Sequence, residues 1–344
     1  MKKQSKLLAL LLACAMTLAL SACGGNSATT STPGGSAAPA ASGSAAATGD
    51  KTYTIGICQL VQHNALDAAT KGFKDALTEK LGDKVKFDEQ NAAGDSATCA
   101  TICNQFVSSN VDLIMANATP ALQAATAATN SIPILGTSVT DYGTALSIAD
   151  WKGTTGTNVT GTADLAPLDK QAEMIKTLFP DAKNVGILYC SAEPNSKYQS
   201  TEITKYLTDA GYTCKEFTFA DSNDVAAVTK TACDESDVIY IPTDNTAASC
   251  AESINNVAEP AKVPIVAGEA GICTGCGVAT LSIDYYDLGV VTGNMAYEVL
   301  VNGADPATTE IQFAPKTTYQ YMADRCEKLG VKVPSDYVAI EVEK

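Results

Sequence analysis

The chain has 344 residues, 46% of them hydrophobic and 18% charged, a mixture that supports a packed core rather than a disordered or fibrous chain. Its formal net charge is −15, from 38 acidic against 23 basic side chains, and Arg325 is the only arginine. That balance excludes a basic patch for nucleic acid and a cluster of guanidinium forks for phosphorylated ligands.

Residues 1–22 carry Lys2, Lys3 and Lys6, then an apolar run from Leu7 to Leu20, then Ser21-Ala22-Cys23. This is the layout of a secretory signal. The run is shorter than the ~18 residues a membrane-spanning helix requires, and no later segment approaches that length. Leu20-Ser21-Ala22-Cys23 resembles the lipobox of bacterial lipoproteins, which implies lipidation of Cys23; the alternative is an ordinary signal peptide followed by a chance cysteine. From Gly24 to Asp50 every residue except Asn26 and Asp50 is Gly, Ala, Ser, Thr or Pro. Such a segment cannot bury enough apolar area to offset its ordering entropy, and as a flexible tether it would span roughly 30 Å.

The remaining chain is long enough for two domains. Tyr53–Cys58 reads as a strand before an amphipathic helix over Ala65–Leu81, and Val85–Glu89 precedes a helix over Asp95–Ser108. Val111–Met115 leads to a helix opening at Pro120, a residue suited to a first helical turn, and Ile132–Gly136 follows. The same order then recurs about 130 residues later. Asn184–Tyr189, Cys214–Phe219, Val238–Ile241 and Val263–Val266 read as strands with helical segments between them. Alternation at this spacing predicts right-handed βαβ units and parallel sheets. The expected fold class is α/β, with two Rossmann-like lobes joined by a multi-crossing hinge.

Open parallel sheets bind ligands beyond the carboxyl ends of their strands. There lie Gln59–Asn64, Asn117–Pro120 and Thr137–Asp141 in the first half, and Ser191–Ser196, Pro242–Thr246 and Gly268–Gly271 in the second. They are rich in hydroxyls, amides and carboxylates, and several open helices, whose free N–H groups favour an anion. Glu193, Asp244 and Glu269 offer negative charge to an ammonium, so a zwitterion such as an amino acid matches the polarity. The competing reading makes Thr119, Asn195, Asn245 and Thr246 helix caps.

At these segments the sequence resembles the ABC transporter substrate-binding proteins of the tryptophan/tyrosine type, within the type I periplasmic-binding-protein superfamily. The resemblance rests on Gln59-Leu60-Val61 with His63 and Ala65-Leu66-Asp67, Ala118-Thr119-Pro120-Ala121, Val139-Thr140-Asp141, Asn158–Thr162, Pro242–Thr246 and Ile283–Tyr286. It runs from about Tyr53 to Val333. It implies a lipoprotein, anchored outside the cell membrane, that captures a small solute between two lobes and delivers it to a permease with a cytoplasmic ATPase. The contacts it implies are Gln59, His63, Thr119 and Thr140 from the first lobe and Glu193, Asn195, Ser196, Asp244, Asn245 and Glu269 from the second. Asp284 would stand where the chain crosses back, beside Tyr285. Many relatives place an acid and then His-Pro where this chain has Gln62-His63-Asn64, and Gly-Asp-Glu where it has Gly268-Glu269-Ala270.

For an aromatic solute, Tyr285, Tyr286, Tyr189 and Tyr142 are stacking candidates, and Trp151 reads as a surface residue. The expected division is 1–22 signal, 23–50 lipidated cysteine and linker, 51–160 plus 286–310 first lobe, and 161–285 plus 311–344 second lobe. Three chain crossings would make the hinge.

An enzyme is not expected. His63 is the only histidine, no Gly-x-Ser-x-Gly elbow occurs, and no Gly-x-Gly-x-x-Gly or Walker loop follows a strand, so no cofactor is indicated. Of twelve cysteines, ten belong to the body. Cys273-Thr274-Gly275-Cys276 has the spacing of half a zinc site but lacks a second pair, which leaves free or locally paired thiols ahead of a metal. Two other roles stay open: a lipid-anchored sensor that reports the same solute to a signalling partner, and a receptor for a sugar or nucleoside.

Overall fold

Short β-branched runs followed by apolar-faced helices build two sheets in sequence order. The computed structural model describes residues 51–341; the leader, Cys23, the whole linker and residues 342–344 lie outside the described residues. The first sheet takes β1 (Tyr53–Gln59), β2 (Val85–Asn91), β3 (Leu113–Asn117), β4 (Ile134–Val139) and β5 (Val159–Ala163). The second takes β6 (Asn184–Cys190), β7 (Thr213–Phe219), β8 (Val238–Ile241), β9 (Ile265–Ala267) and β10 (Ala279–Ile283). The chain then adds β11 (Gln312–Phe313) to the first sheet, and β12 (Thr317–Tyr321) and β13 (Val338–Ala339) to the second.

The strand order is β11-β5-β4-β3-β1-β2 in the first sheet and β13-β12-β10-β9-β8-β6-β7 in the second. Every pairing is parallel except β10 with β12. Central strands such as β3 and β8 are buried along their whole length, because helices cover both faces of a parallel sheet. Gln59 pairs with Asn117, and Asn117 with Thr137, so polar residues at or near the ends of three neighbouring strands stand side by side.

The crossings fall a few residues from their expected places. β5 runs to Ala163 within the first sheet, so the first crossing is Asp164–Pro167 rather than residue 160. The second lies at Asp284, since the helix Tyr285–Asn302 packs its Met295, Ala296 and Val299 into the first-lobe core with Ile55, Ile57 and Phe73. That helix meets the helix Asn64–Leu81 so closely that a Cβ on Gly72 or Gly289 would strike the opposing backbone. β11 pairs with β5, so the chain leaves the first lobe only at Ala314–Lys316, after the residue-310 boundary drawn from the sequence.

Trp151 is not a free surface residue. It stacks on buried Tyr142, ring centroids 6.1 Å apart, and packs against the first-lobe core. The ten body cysteines are free thiols and mostly buried, as small apolar side chains are. Among the described residues no group of three or more His, Cys, Asp or Glu could hold a metal.

Candidate functional site

The carboxyl ends of the two sheets meet, and the polar segments that follow the strands are buried between them. Two hydrogen bonds cross directly from lobe to lobe: His63 Nε2 lies 3.2 Å from Asn245 Oδ1, and Gln199 Nε2 donates to Thr140 Oγ1 at 3.5 Å. At the first crossing, Asp164 accepts from Thr140 Oγ1 at 3.1 Å and from the Tyr285 hydroxyl at 2.9 Å. Gln59, Thr119, Thr140, Asp164, Glu193, Asn195, Ser196, Gln199, Asp244, Asn245, Glu269 and Tyr285 are all buried. This is a closed cleft whose walls are polar, an arrangement that stands only if those groups find partners.

On the second lobe most of them do. Glu193 accepts from the backbone and side chain of Asn245, at 3.1 and 2.7 Å, and from the backbone and hydroxyl of Thr246, at 2.8 and 2.7 Å. Asn195 Nδ2 adds a fifth donor at 3.1 Å. Asp244 caps its own short helix through Ala247 N at 2.7 Å and holds the end of β6 through Cys190 N at 2.7 Å. Glu269 caps the helix Ala270–Cys276 through Gly271 N and Ile272 N. The caps are thus the acids reserved for an ammonium, not Asn245 or Thr246, because a carboxylate accepts N–H groups more strongly than an amide or hydroxyl does.

On the first lobe, Gln59 is fully engaged. Its amide donates to Val61 O at 3.0 Å and to Asp67 at 2.7 Å, and its oxygen accepts from Thr70 at 2.7 Å. Gln59 therefore braces the loop that carries His63. Thr119 and Ser138 are different: each hydroxyl is buried with no partner among the described residues. The backbone that presents them is strained, with Ala118 at φ 92° and Ser138 at φ 54°. Non-glycine residues hold such angles where the surrounding structure enforces them, often at ligand sites. His63 Nδ1, Asn117 Oδ1 and Asn195 Oδ1 are likewise buried and unpartnered.

Burial pushes the Asp164 carboxyl up to about 6, and the Glu269 charge adds to this, while its two hydroxyl donors pull the other way. Burial also raises Glu269, against the favourable influence of His63. Asp244 is raised by burial and then by Glu193. Three buried acids held above the ordinary carboxylate range face a cleft with no lysine or arginine among its buried polar groups, an arrangement suited to a cationic group.

Of the expected residues, Asp284 is exposed and caps the helix that starts at Tyr285, so it stands outside the buried cluster. Among the aromatic candidates, Tyr285 belongs to the cluster and Tyr142 supports it from the core. Tyr189 lies in the core of the second lobe, and Tyr286 is exposed, bonded to Asp75 at 3.0 Å. Asp164, Ser138 and Gln199 were not singled out from the sequence. Asp164 carried a usable signal, an acid directly after the β-branched strand Val159–Ala163, which the early placement of the crossing hid.

The model of the family described as ABC transporter substrate binding protein matches residues 54–342. A tyrosine-binding protein of Clostridioides difficile is 40% identical over 265 residues, 75% of this chain and 76% of that protein. An ABC domain from Streptococcus pneumoniae in complex with L-Trp is 34% identical, covering 83% of this chain and 97% of that one, with a TM-score of 0.79. The ligand-free, open structure of a Clostridium difficile substrate binding protein with adhesive properties is 35% identical over 85% of this chain and all of that one, yet its TM-score is 0.65. At nearly equal identity, the poorer superposition on an open structure agrees with the bonds that join the lobes here. The family match over residues 54–342 and the 40% identical relative place this chain in the ABC transporter substrate-binding protein family, and its two parallel-sheet lobes have the type I periplasmic-binding-protein fold.

Proposed function

We propose that this protein captures an aromatic amino acid in the closed cleft and delivers it to a membrane permease driven by a cytoplasmic ATPase. The observation that carries the reading is the set of buried, unpartnered polar atoms, Thr119 Oγ, Ser138 Oγ, His63 Nδ1 and Asn195 Oδ1, gathered around acids that burial holds above their ordinary range. A zwitterion answers both needs: its ammonium faces Asp164, and its carboxylate takes hydrogen bonds from the Thr119 and Ser138 hydroxyls, at the N-terminus of the helix Thr119–Ala128. Tyr285 presents its ring to the solute while its hydroxyl orients Asp164. The aromatic class is supported by the tyrosine-binding relative and the L-Trp complex.

Gln59, Asp244 and Asn245 serve by shaping the walls, and Thr140, Glu193, Asn195, Ser196 and Glu269 by holding charge and donors in place. No helix among the described residues is long and apolar enough to cross a membrane. Anchoring would then fall to a lipid on Cys23, with residues 24–50 as the tether.

Thermal-shift and calorimetric titration of unfolded and refolded protein, which removes any copurified solute, tests the reading. L-Trp, L-Tyr and L-Phe should raise the melting temperature, since a ligand at 100 times its Kd adds about 2.7 kcal/mol. A response confined to sugars or nucleosides would overturn it.

A further inference from the structure

His63 is the only histidine in the chain, and its two ring nitrogens stand in different surroundings. It precedes the helix Asn64–Leu81 with its side chain making no capping bond, so the ring is free to reach the other lobe. Its Nε2 lies 3.2 Å from Asn245 Oδ1. The orientation of that amide is set by Glu193, whose Oε2 accepts both Asn245 Nδ2, at 2.7 Å, and Asn245 N, at 3.1 Å. An amide oxygen cannot face a carboxylate without repulsion, so Nδ2 points to Glu193 and Oδ1 points to His63. The bond across the lobes therefore requires a proton on Nε2, which leaves Nδ1 of the neutral ring as an acceptor. Nδ1 is buried and has no partner among the described residues.

Two cavities lie between the lobes, bordered by segments on either side of His63 in the chain. Leu60, Val61, Glu193 and Thr246 border one of about 220 Å³; Asn64, Ala65, Glu269 and Tyr285 border another of about 360 Å³. Each space has residues of both lobes on its walls.

We propose that His63 couples the bound solute to closure of the lobes. A donor group on the solute, N–H or O–H, gives its hydrogen bond to Nδ1; this selects the tautomer that carries its proton on Nε2, and that proton ties the ring to Asn245 and, through it, to Glu193. A solute without a donor at this position leaves Nδ1 unsatisfied in the closed form and so binds more weakly. Because apparent affinity scales with the fraction of protein in the competent state, the bond to Asn245 tightens binding without touching the solute. This rests on the amino-acid reading above and deepens it.

The test compares wild type with His63→Gln, His63→Ala and Asn245→Ala, reading L-Trp affinity and release rate together with small-angle scattering of the ligand-free protein. Glutamine places an amide donor where Nε2 stands but has no acceptor where Nδ1 stands. His63→Gln should keep the ligand-free scattering curve of wild type and lose about tenfold in affinity. Asn245→Ala should open the ligand-free protein and speed release. His63→Ala should do both, and adding Asn245→Ala to it should cost little more, since the two residues act through one bond. Wild-type affinity in His63→Ala, or fully additive losses in the double variant, would overturn the coupling. Failure of wild type itself to bind any amino acid would instead overturn the substrate reading, and a single cooperative unfolding transition in each ligand-free variant separates either result from misfolding.

Discussion

On the second lobe, Glu193 accepts from five donors and Asp244 and Glu269 each accept from two backbone N–H groups; on the first, the hydroxyls of Thr119 and Ser138 have no partner among the described residues and sit on strained backbone. The carboxylates of one face are satisfied from within their own lobe, while the hydroxyls of the other are left to be completed. A saturated face holds its shape in the absence of solute, because every carboxylate is fixed by donors from its own lobe. An incomplete face discriminates, since a solute that fails to supply its missing partners leaves buried polar groups unpaired. Asp164 and Tyr285, at the crossings, belong to both faces and place charge where the lobes pivot.

The largest effect should come from attacking the saturated face. Glu193→Ala strands buried donors on Asn245, Thr246 and Asn195 and should lower stability by about 3 kcal/mol or more, read by urea unfolding of ligand-free protein. If stability is unchanged, that lobe does not rely on its internal bonds and the contrast between the faces collapses.

Asp164→Asn should act oppositely, with an intact fold and an amino-acid affinity reduced about a hundredfold by loss of a charged partner. It also carries a pH signature. The Asp164 carboxyl is raised from 3.8 to about 6 in the folded protein, so the folded state binds the extra proton in that interval. Stability from this group is fully present below about pH 4 and is lost as pH rises through about 6. The melting temperature of ligand-free wild type should fall over that range, and the fall should be shallower in Asp164→Asn. Equal slopes would assign the raised carboxyl elsewhere.

Thr119→Val is the smallest change and sharpens the comparison most. It removes an unpartnered hydroxyl, so ligand-free stability should hold or rise slightly, while affinity drops about tenfold. Calorimetry and a melting curve on the same sample decide it; a loss of stability without loss of affinity would make Thr119 an ordinary structural residue.

The strand–helix alternation was legible from period and composition, because apolar β-branched runs such as Val238–Ile241 and helix signals such as Pro120 act over a few residues. The segments at the strand ends were legible too, since parallel topology dictates where they lie. Individual roles were harder. Gln59 reads as a ligand contact by position and also bonds Val61, Asp67 and Thr70, while Asp244 and Glu269 read as ammonium partners and also carry capping bonds. Whether a buried carboxylate meets backbone N–H groups or open cleft depends on atoms from distant segments, as with Asp244 and Cys190, 54 residues apart.

The sequence by itself determined the two-lobed α/β plan, the acidic and arginine-poor character, and the six polar segments of the cleft, all of which follow from local periodicity and composition. Only the tertiary structure decided which polar atoms are satisfied and which are left open, that β5 and β11 belong to the first sheet, and that His63 reaches Asn245 across 182 positions of sequence. Hydrogen-bond satisfaction is a property of three-dimensional neighbours, so no pattern along the chain carries it.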